Sequence, residues 1–199
     1  ALHNLKKKKI NNVIIEASSH GLQQLRLHHI NFKAAIFTNF SQDHLDYHKT
    51  MKAYLNSKLL LFKEILKKKS VIISDKKIQE FSILKKIAQR RGLKILNIDN
   101  GLKKIENISL HNSSKYKMKN LTMAIEAVKL CGLKNNFIYE AVKKLKNTSG
   151  RLELIKKYPN DIKVFIDYAH TPDALLKTLQ ALKNNFGDNI SLVFGCGGE

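Results

Sequence analysis

The strongest constraint on this chain is a rhythm of short β-branched runs, unrelieved by polar alternation, with helical patterns between them. The runs are Val13-Ile14-Ile15, Ala35-Ile36-Phe37-Thr38, Val71-Ile72-Ile73, Ile95-Leu96-Asn97-Ile98, Val164-Phe165-Ile166 and Ser191-Leu192-Val193-Phe194. A strand wetted on one face alternates apolar and polar residues. A run without alternation suits a strand buried on both faces, as in a parallel sheet covered by helices. Between the runs, Leu121, Ala124, Ile125, Val128 and Cys131 fall at i, i+3, i+4, i+7 and i+10, and Gly132 follows as a helix stop. Ile138, Ala141, Val142 and Leu145 repeat the pattern. Strands alternating with helices predict an α/β fold with a mainly parallel sheet.

At 199 residues and 43% hydrophobic composition the chain can bury a core of one large domain or one and a half ordinary ones. The turn-forming stretch Asn147-Thr148-Ser149-Gly150 follows a helical pattern and marks a boundary, dividing the chain into 1–149 and 150–199. The second part reads as strand, helix, strand, ending in the glycine turn Gly195-Cys196-Gly197-Gly198-Glu199. Such a turn normally opens a helix, so the chain reads as an internal piece of a longer one. No apolar run approaches the ~20 residues that span a bilayer, and the opening with its Lys6 to Lys9 run does not read as a signal peptide. Two distant cysteines, Cys131 and Cys196, fit a reducing, cytoplasmic setting.

The formal charge of +20 raises the possibility of a nucleic-acid partner. Only Arg26, Arg90, Arg91 and Arg151 among the 36 basic residues are arginines, however, and the lysines are scattered beside Asn and Ile. Specific phosphate and base readers favour arginine forks. A solvated lysine surface is the plainer reading, with no specific nucleic-acid partner.

Five segments carry candidate chemistry. Glu16-Ala17-Ser18-Ser19-His20-Gly21 follows the first run directly, where α/β enzymes bind ligands; it also reads as a helix start capped by Ser18 or Ser19. Thr38-Asn39-Phe40-Ser41-Gln42-Asp43-His44-Leu45-Asp46-Tyr47-His48 follows the second run and concentrates two Asp and two His in six residues. Oxygen-rich sites beside phosphate suit Mg²⁺, whereas zinc would want more Cys or His. Met51, Tyr54, Leu55, Leu59, Phe62, Ile65 and Leu66 trace the apolar stripe of one helix, and Lys58 lies on that stripe. A lysine there either snorkels to water or has a chemical task. Burial lowers an amine's pKa and leaves it nucleophilic, able to take up CO₂ as a metal-binding carbamate. Ser149-Gly150-Arg151-Leu152-Glu153 offers an arginine to a phosphate at the boundary. Asp167-Tyr168-Ala169-His170-Thr171-Pro172-Asp173 offers an acid to ribose hydroxyls, or plain turn chemistry with Pro172 opening a helix.

In this order, Glu-x-Ser-Ser-His-Gly-Leu, Thr-Asn-x-Ser-x-Asp-His-Leu-Asp-Tyr-His, Gly-Arg-x-Glu, Asp-Tyr-Ala-His-Thr-Pro-Asp-Ala and Gly-Cys-Gly-Gly resemble the Mur ligase family, specifically its tripeptide-forming branch. The resemblance covers nearly the whole chain. It implies that 1–149 is part of the family's central ATP-binding domain and 150–199 the start of a Rossmann-like C-terminal domain. It implies an ATP-dependent ligase of peptidoglycan precursor synthesis, a cytoplasmic monomer. Through an acyl phosphate, it joins meso-diaminopimelate or L-lysine to UDP-N-acetylmuramoyl-L-alanyl-D-glutamate. ATP and Mg²⁺ are the implied cofactors. Glu16 and His44 match magnesium ligands, and Lys58 the family's carbamylated lysine (N6-carboxylysine), which helps hold the metal. Ser18, Gln24 and Arg26 match contacts to the UDP-MurNAc-dipeptide. Asn120 matches an adenine contact, Arg151 a phosphate contact, and Asp167 a ribose contact, with His170 beside them. Lys58 and Arg151 are the implied catalytic residues.

Two departures stand out. Lys117 occupies the place of a second family Asn, three residues before Asn120, and Glu199 stands where Asp is usual. No Gly-x-x-Gly-Lys-[Thr/Ser] phosphate loop occurs, so these 199 residues are expected to be inactive by themselves. A folylpolyglutamate synthase shares the ATP chemistry and is the alternative within the superfamily. A basic nucleic-acid-binding module is the alternative of another class, supported by charge alone.

Overall fold

The computed structural model describes residues 2–106, 115–146 and 148–195. The first region contains α1 (Leu2–Lys7), α2 (Ser19–Gln23), β1 (Ala34–Phe37), α3 (Leu45–His48) and α4 (Met51–Leu60), which continues as a π-helical turn, Leu61–Ile65. Then follow β2 (Val71–Ser74), α5 (Phe81–Arg91), β3 (Lys94–Asn97), α6 (Asp99–Glu106), α7 (Lys115–Leu130) and α8 (Asn135–Lys143). The last region holds β4 (Glu153–Lys157), β5 (Lys163–Ile166) and α9 (Pro172–Phe186).

The strands β1, β2 and β3 form a parallel sheet in that order, with Ala35 opposite Ile72 and Ile72 opposite Ile95. The unalternating run in β2 is buried on both faces, as its composition requires. Ile72 joins Leu22, Phe37, Leu59, Phe62, Leu66 and Leu84 on one side. Ile73 joins Ile98 and Met123 on the other, where α7 covers the sheet. Both isoleucines are fully buried, each worth about 1.5–3 kcal/mol of transfer free energy. Polar side chains tie the strands as well. The Ser74 hydroxyl donates to the Phe37 carbonyl at 2.8 Å, and Ser70 donates to the Phe32 carbonyl at 2.9 Å.

Local signals set the helix ends. The Thr50 hydroxyl accepts the Ala53 N–H at 3.1 Å and caps α4. Gly92 takes the left-handed conformation that ends α5 (φ 64°), and Gly132 follows α7 at φ 90°. Pro172 opens α9 behind a Thr171 cap. The stripe from Met51 to Ile65 is helical throughout, but its last turn is π-helical. Arg91 of α5 closes that turn by donating to the Glu64 and Leu66 carbonyls at 3.2 and 2.7 Å, which have no helical partner of their own.

Three expectations are corrected. Val13 to Ile15 forms no strand: Ile14 is 90% exposed, and no described strand offers its backbone a ladder. Ser191 to Phe194 likewise forms no strand, and Val193 is 98% exposed. The second part therefore begins with a hairpin rather than a strand, helix, strand unit. The strands β4 and β5 pair antiparallel, with Glu153 opposite Ile166. Their connection, Tyr158 to Ile162, is too short for a parallel crossover. It turns through Asp161 at φ 61°, with the Tyr158 N–H donating to the Ile162 carbonyl at 2.8 Å. Residues 196–199 of the glycine turn, and Asn147 of the boundary stretch, lie outside the described residues.

Candidate functional site

The carboxyl end of β1 leads into the segment that carries His44, and α4 brings Lys58 to the same place. Lys58 is half-buried, and its ammonium lies 4.9 Å from the centre of the Tyr54 ring. Burial lowers its pKa, while the charges of Asp43 and Glu16 act against that shift. Residues 43 and 16 thus come within electrostatic reach of the amine from two different segments. The Tyr54 hydroxyl is pushed up to about 12, first by burial and then by Asp43.

His44 sits in the left-handed region (φ 53°) immediately before α3, and its N–H donates to the Asp43 carboxylate at 2.8 Å. Its ring lies 3.6 Å from the other Asp43 oxygen and edge-on to His20 at 4.9 Å. His20 contacts Tyr47 and His48, and His48 stacks on Tyr54 at 5.2 Å. The result is a cluster of three imidazoles and two phenols beside one amine and two carboxylates.

Glu16 and Ser18 are exposed, and the Ser18 hydroxyl accepts the Gly21 N–H at 3.1 Å to cap α2. The capping and ligand-binding readings of this segment therefore use the same side chain. Gln24 and Arg26 stand exposed just beyond α2, and Asn120 is exposed on α7. Beside Asn120, Lys119 reaches Asp75 at the carboxyl end of β2, 2.5 Å away, an ion-pair contact without hydrogen-bond alignment.

A second polar corner joins the 149–153 turn to the end of β5. The Asp167 carboxylate accepts the Leu152 and Ala169 N–H groups at 2.6 and 2.8 Å, and the Thr178 hydroxyl at 3.3 Å. The Tyr168 N–H donates to the Gly150 carbonyl at 2.9 Å. Glu153 accepts Ser149 and Gly150, and the Gly150 N–H holds its carboxyl below the usual range. Arg151 lies over Tyr168 at 4.7 Å, and His170 packs edge-on against the same ring at 5.0 Å. Arg151, Asp167 and His170 are thus assembled together, although Asp167 already braces the turn.

Among the described residues no three His, Cys, Asp or Glu side chains converge on an ion-sized point. A closed zinc cage is built from such a set. A magnesium ion keeps its waters and needs only one or two protein oxygens beside substrate phosphates, and the carboxylates of Glu16 and Asp43 lie within electrostatic reach of Lys58. Asp43, His20, His48, Tyr54 and Ser57 belong to the cluster, yet the motif reading gave them no role. The density of acids and histidines after β1 was the available signal for Asp43 and His48, and the Glu16 to Gly21 segment before β1 was the signal for His20. A cavity of about 380 Å³ opens beside it, lined by Phe40, Met51, Lys52, Leu55, Gln79, Glu80 and Ile83. None of the candidate binding, metal or catalytic residues lines that cavity, and the titratable cluster is the better site.

Comparison with known proteins identifies the family and the fold. Residues 1–142 match the Mur ligase middle domain, and residues 150–199 match the Mur ligase glutamate ligase domain. The UDP-N-acetylmuramoyl-L-alanyl-D-glutamate–2,6-diaminopimelate ligase of Rickettsia conorii is 36% identical over 220 residues, covering 99% of this chain and 45% of that protein. The ligase of the same name from Wigglesworthia glossinidia brevipalpis is 36% identical over 222 residues, covering 97% and 44%. A solved structure of a UDP-N-acetylmuramoyl-L-alanyl-D-glutamate–2,6-diaminopimelate ligase superposes with a TM-score of 0.68 at 28% identity, covering 100% of this chain and 45% of that one. MurF from Acinetobacter baumannii shares the fold, with a TM-score of 0.62 at 15% identity over 79% of this chain and 38% of that one. The chain spans about 45% of the length of the curated relatives it matches. With family motifs across both parts and the parallel sheet beneath the first cluster, the chain belongs to the Mur ligase family.

Proposed function

We propose that this chain contributes to a ligase that joins a third amino acid to UDP-N-acetylmuramoyl-L-alanyl-D-glutamate in peptidoglycan precursor synthesis. The relatives are named for 2,6-diaminopimelate, which favours diaminopimelate, in its meso form, over L-lysine as that amino acid. The observation that carries the reading is Lys58, a half-buried amine of lowered pKa with Asp43 and Glu16 in electrostatic reach. A plain surface lysine would have no such surroundings.

In the proposed reaction a substrate carboxylate oxygen takes the γ-phosphoryl group of ATP, and ADP leaves. The incoming amine attacks the acyl carbon, loses a proton, and inorganic phosphate departs with its bonding electrons. Catalysis of this kind rests on positioning and on neutralising charge. Glu16, His44 and a carbamate on Lys58 would hold Mg²⁺, which supplies Lewis-acid neutralisation of the phosphates. Ser18, Gln24 and Arg26 bind the UDP-MurNAc-dipeptide. Asn120 contacts adenine. Arg151 neutralises phosphate, and Asp167 and His170 line the ribose side. In this reading 1–149 is central-domain sequence and 150–199 opens the C-terminal domain.

The test is phosphate release that depends on both ATP and the UDP-MurNAc-dipeptide, measured on the complete ligase. Lys58→Ala should abolish it, and added short carboxylates should restore part of it. An unchanged rate in Lys58→Ala without added carboxylate would overturn the carbamate role. Turnover of a folate substrate in place of the dipeptide would overturn the assigned substrate.

A further inference from the structure

We propose that His48 is a positioning residue that ties the segment carrying Glu16 and Ser18 to the helix carrying Lys58. The inference rests on the reading of those residues as the catalytic site.

His48 ends α3 and is 6% exposed. Its Nε2 lies 2.9 Å from the hydroxyl of Ser19, which is 1% exposed and opens α2. Its Nδ1 lies 3.4 Å from the hydroxyl of Ser57, which directly precedes Lys58 on α4. One face of the ring stacks on Tyr54, the same ring that lies beneath the Lys58 ammonium. A single rigid side chain therefore touches both elements that carry the candidate ligands.

The proton count agrees with a neutral ring that bonds at both ends. Ser57 has one hydroxyl proton and its closest acceptor is the Ala53 carbonyl at 3.1 Å. With that proton given to Ala53, the His48 Nδ1–H donates to Ser57. Nε2 is then an acceptor, and the Ser19 hydroxyl donates to it. This tautomer satisfies both ring contacts and the Ala53 bond, and leaves Gln23 Oε1, 3.4 Å from the Ser57 hydroxyl, without that proton. Desolvation by burial lowers the pKa of the ring, and the neighbouring His20 and His44 lower it further, so the neutral form is the one at hand.

Imidazole suits this task because its two polar atoms are fixed at opposite ends of a flat ring. Phenylalanine keeps the ring and the stack on Tyr54 but removes both polar ends. Groups that hold a ligand in place without touching the reacting atoms cost about 10- to 100-fold in activity or metal affinity when removed.

The experiment compares His48→Phe, Ser19→Ala and Ser57→Ala in the complete ligase, with Lys58→Ala as a control. Folding is monitored by urea denaturation. His48→Phe should lower kcat about 10- to 100-fold while changing KM for the dipeptide less than about threefold, a split that a general loss of folded protein does not produce. Adding Ser57→Ala to His48→Phe should lower kcat no further. The chain labelled with ¹³C-bicarbonate gives a second readout: the lysine carbamate signal should weaken in His48→Phe at equal bicarbonate. If His48→Phe does not fold, Ser19→Ala and Ser57→Ala decide by the same split. Wild-type kcat and carbamate in the folded variants, with Lys58→Ala inactive, would overturn the role of His48 alone. An active Lys58→Ala would overturn the underlying site reading instead.

Discussion

The contact between Asp75 and Lys119 makes an asymmetric prediction. The Asp75 side chain is 2% exposed at the end of β2, and the Lys119 side chain on α7 is 25% exposed, with 2.5 Å between charged atoms. At an effective dielectric of about 20 the gross attraction is about 7 kcal/mol. Desolvation of the carboxylate takes back several of these, leaving a net coupling of about 1–3 kcal/mol. Lys119→Ala strands a buried carboxylate whose other oxygen holds only the Lys77 N–H at 2.9 Å, and should cost about 3 kcal/mol. Asp75→Ala removes the buried charge and lets Lys119 turn toward water, so it should cost about 1–2 kcal/mol. The double variant should resemble Asp75→Ala. Urea denaturation of the four proteins gives the coupling directly. Equal and additive losses, with coupling below about 0.5 kcal/mol, would show that this pair does not anchor α7 to the sheet.

Lys58→Met should fold at least as stably as the parent, since it removes a desolvated amine from the stripe, while phosphate release by the complete ligase falls by about 100-fold or more. Paired denaturation and phosphate assays check both halves. His48 has a lowered folded pKa against an ordinary unfolded value of 6.5. As pH falls below that value, the unfolded chain takes up a proton that the folded ring refuses. Stability should therefore drop with falling pH and level off below the folded pKa. The parent-minus-His48→Phe difference in urea midpoint, measured from about pH 7.5 to 5, isolates this slope, and a flat difference would contradict it. Gly101 faces α7, and an added Cβ would meet Thr122 Cγ2 at 2.9 Å and Glu126 Oε1 at 3.1 Å. Gly101→Ala should lose about 1–2 kcal/mol despite the helix preference for alanine. Thr122→Ser should recover part of that loss, since serine retains the hydroxyl that donates to the Met118 carbonyl at 2.8 Å.

The sheet was legible in the sequence wherever a run could be buried on both faces. Ile72 and Ile73 point to opposite cores, and no period-two pattern was needed to find them. The same composition misled at Ile14 and Val193, because a strand also needs a partner that the run itself does not specify. The hairpin of β4 and β5 was hidden for another reason. Its signal was the Tyr-Pro-Asn-Asp turn at 158–161, and β4 is too rich in lysine to read as an apolar run. Lys58 was visible as a charge on an apolar stripe. The link from Ser19 through His48 to Ser57 was not, since its ends lie 38 residues apart in sequence and meet only through tertiary packing.

That link also accounts for the backbone around it. His44 and Lys49 bracket α3 at φ 53° and 63°, and Lys49 departs from the left-handed basin with ψ −36°. Histidine is enriched among residues that tolerate this region, but lysine is not, and such residues cost about 1–3 kcal/mol each. A four-residue helix cannot hold itself against that cost, because it has not passed its own nucleation barrier. What fixes α3 must therefore come from its side chains. His48, buried and bonded at both ring nitrogens, is the one that reaches both α2 and α4. The strain in the loop and the anchoring of its last residue are two sides of one device, which turns the ring of His44 toward His20 and the carboxylate of Asp43.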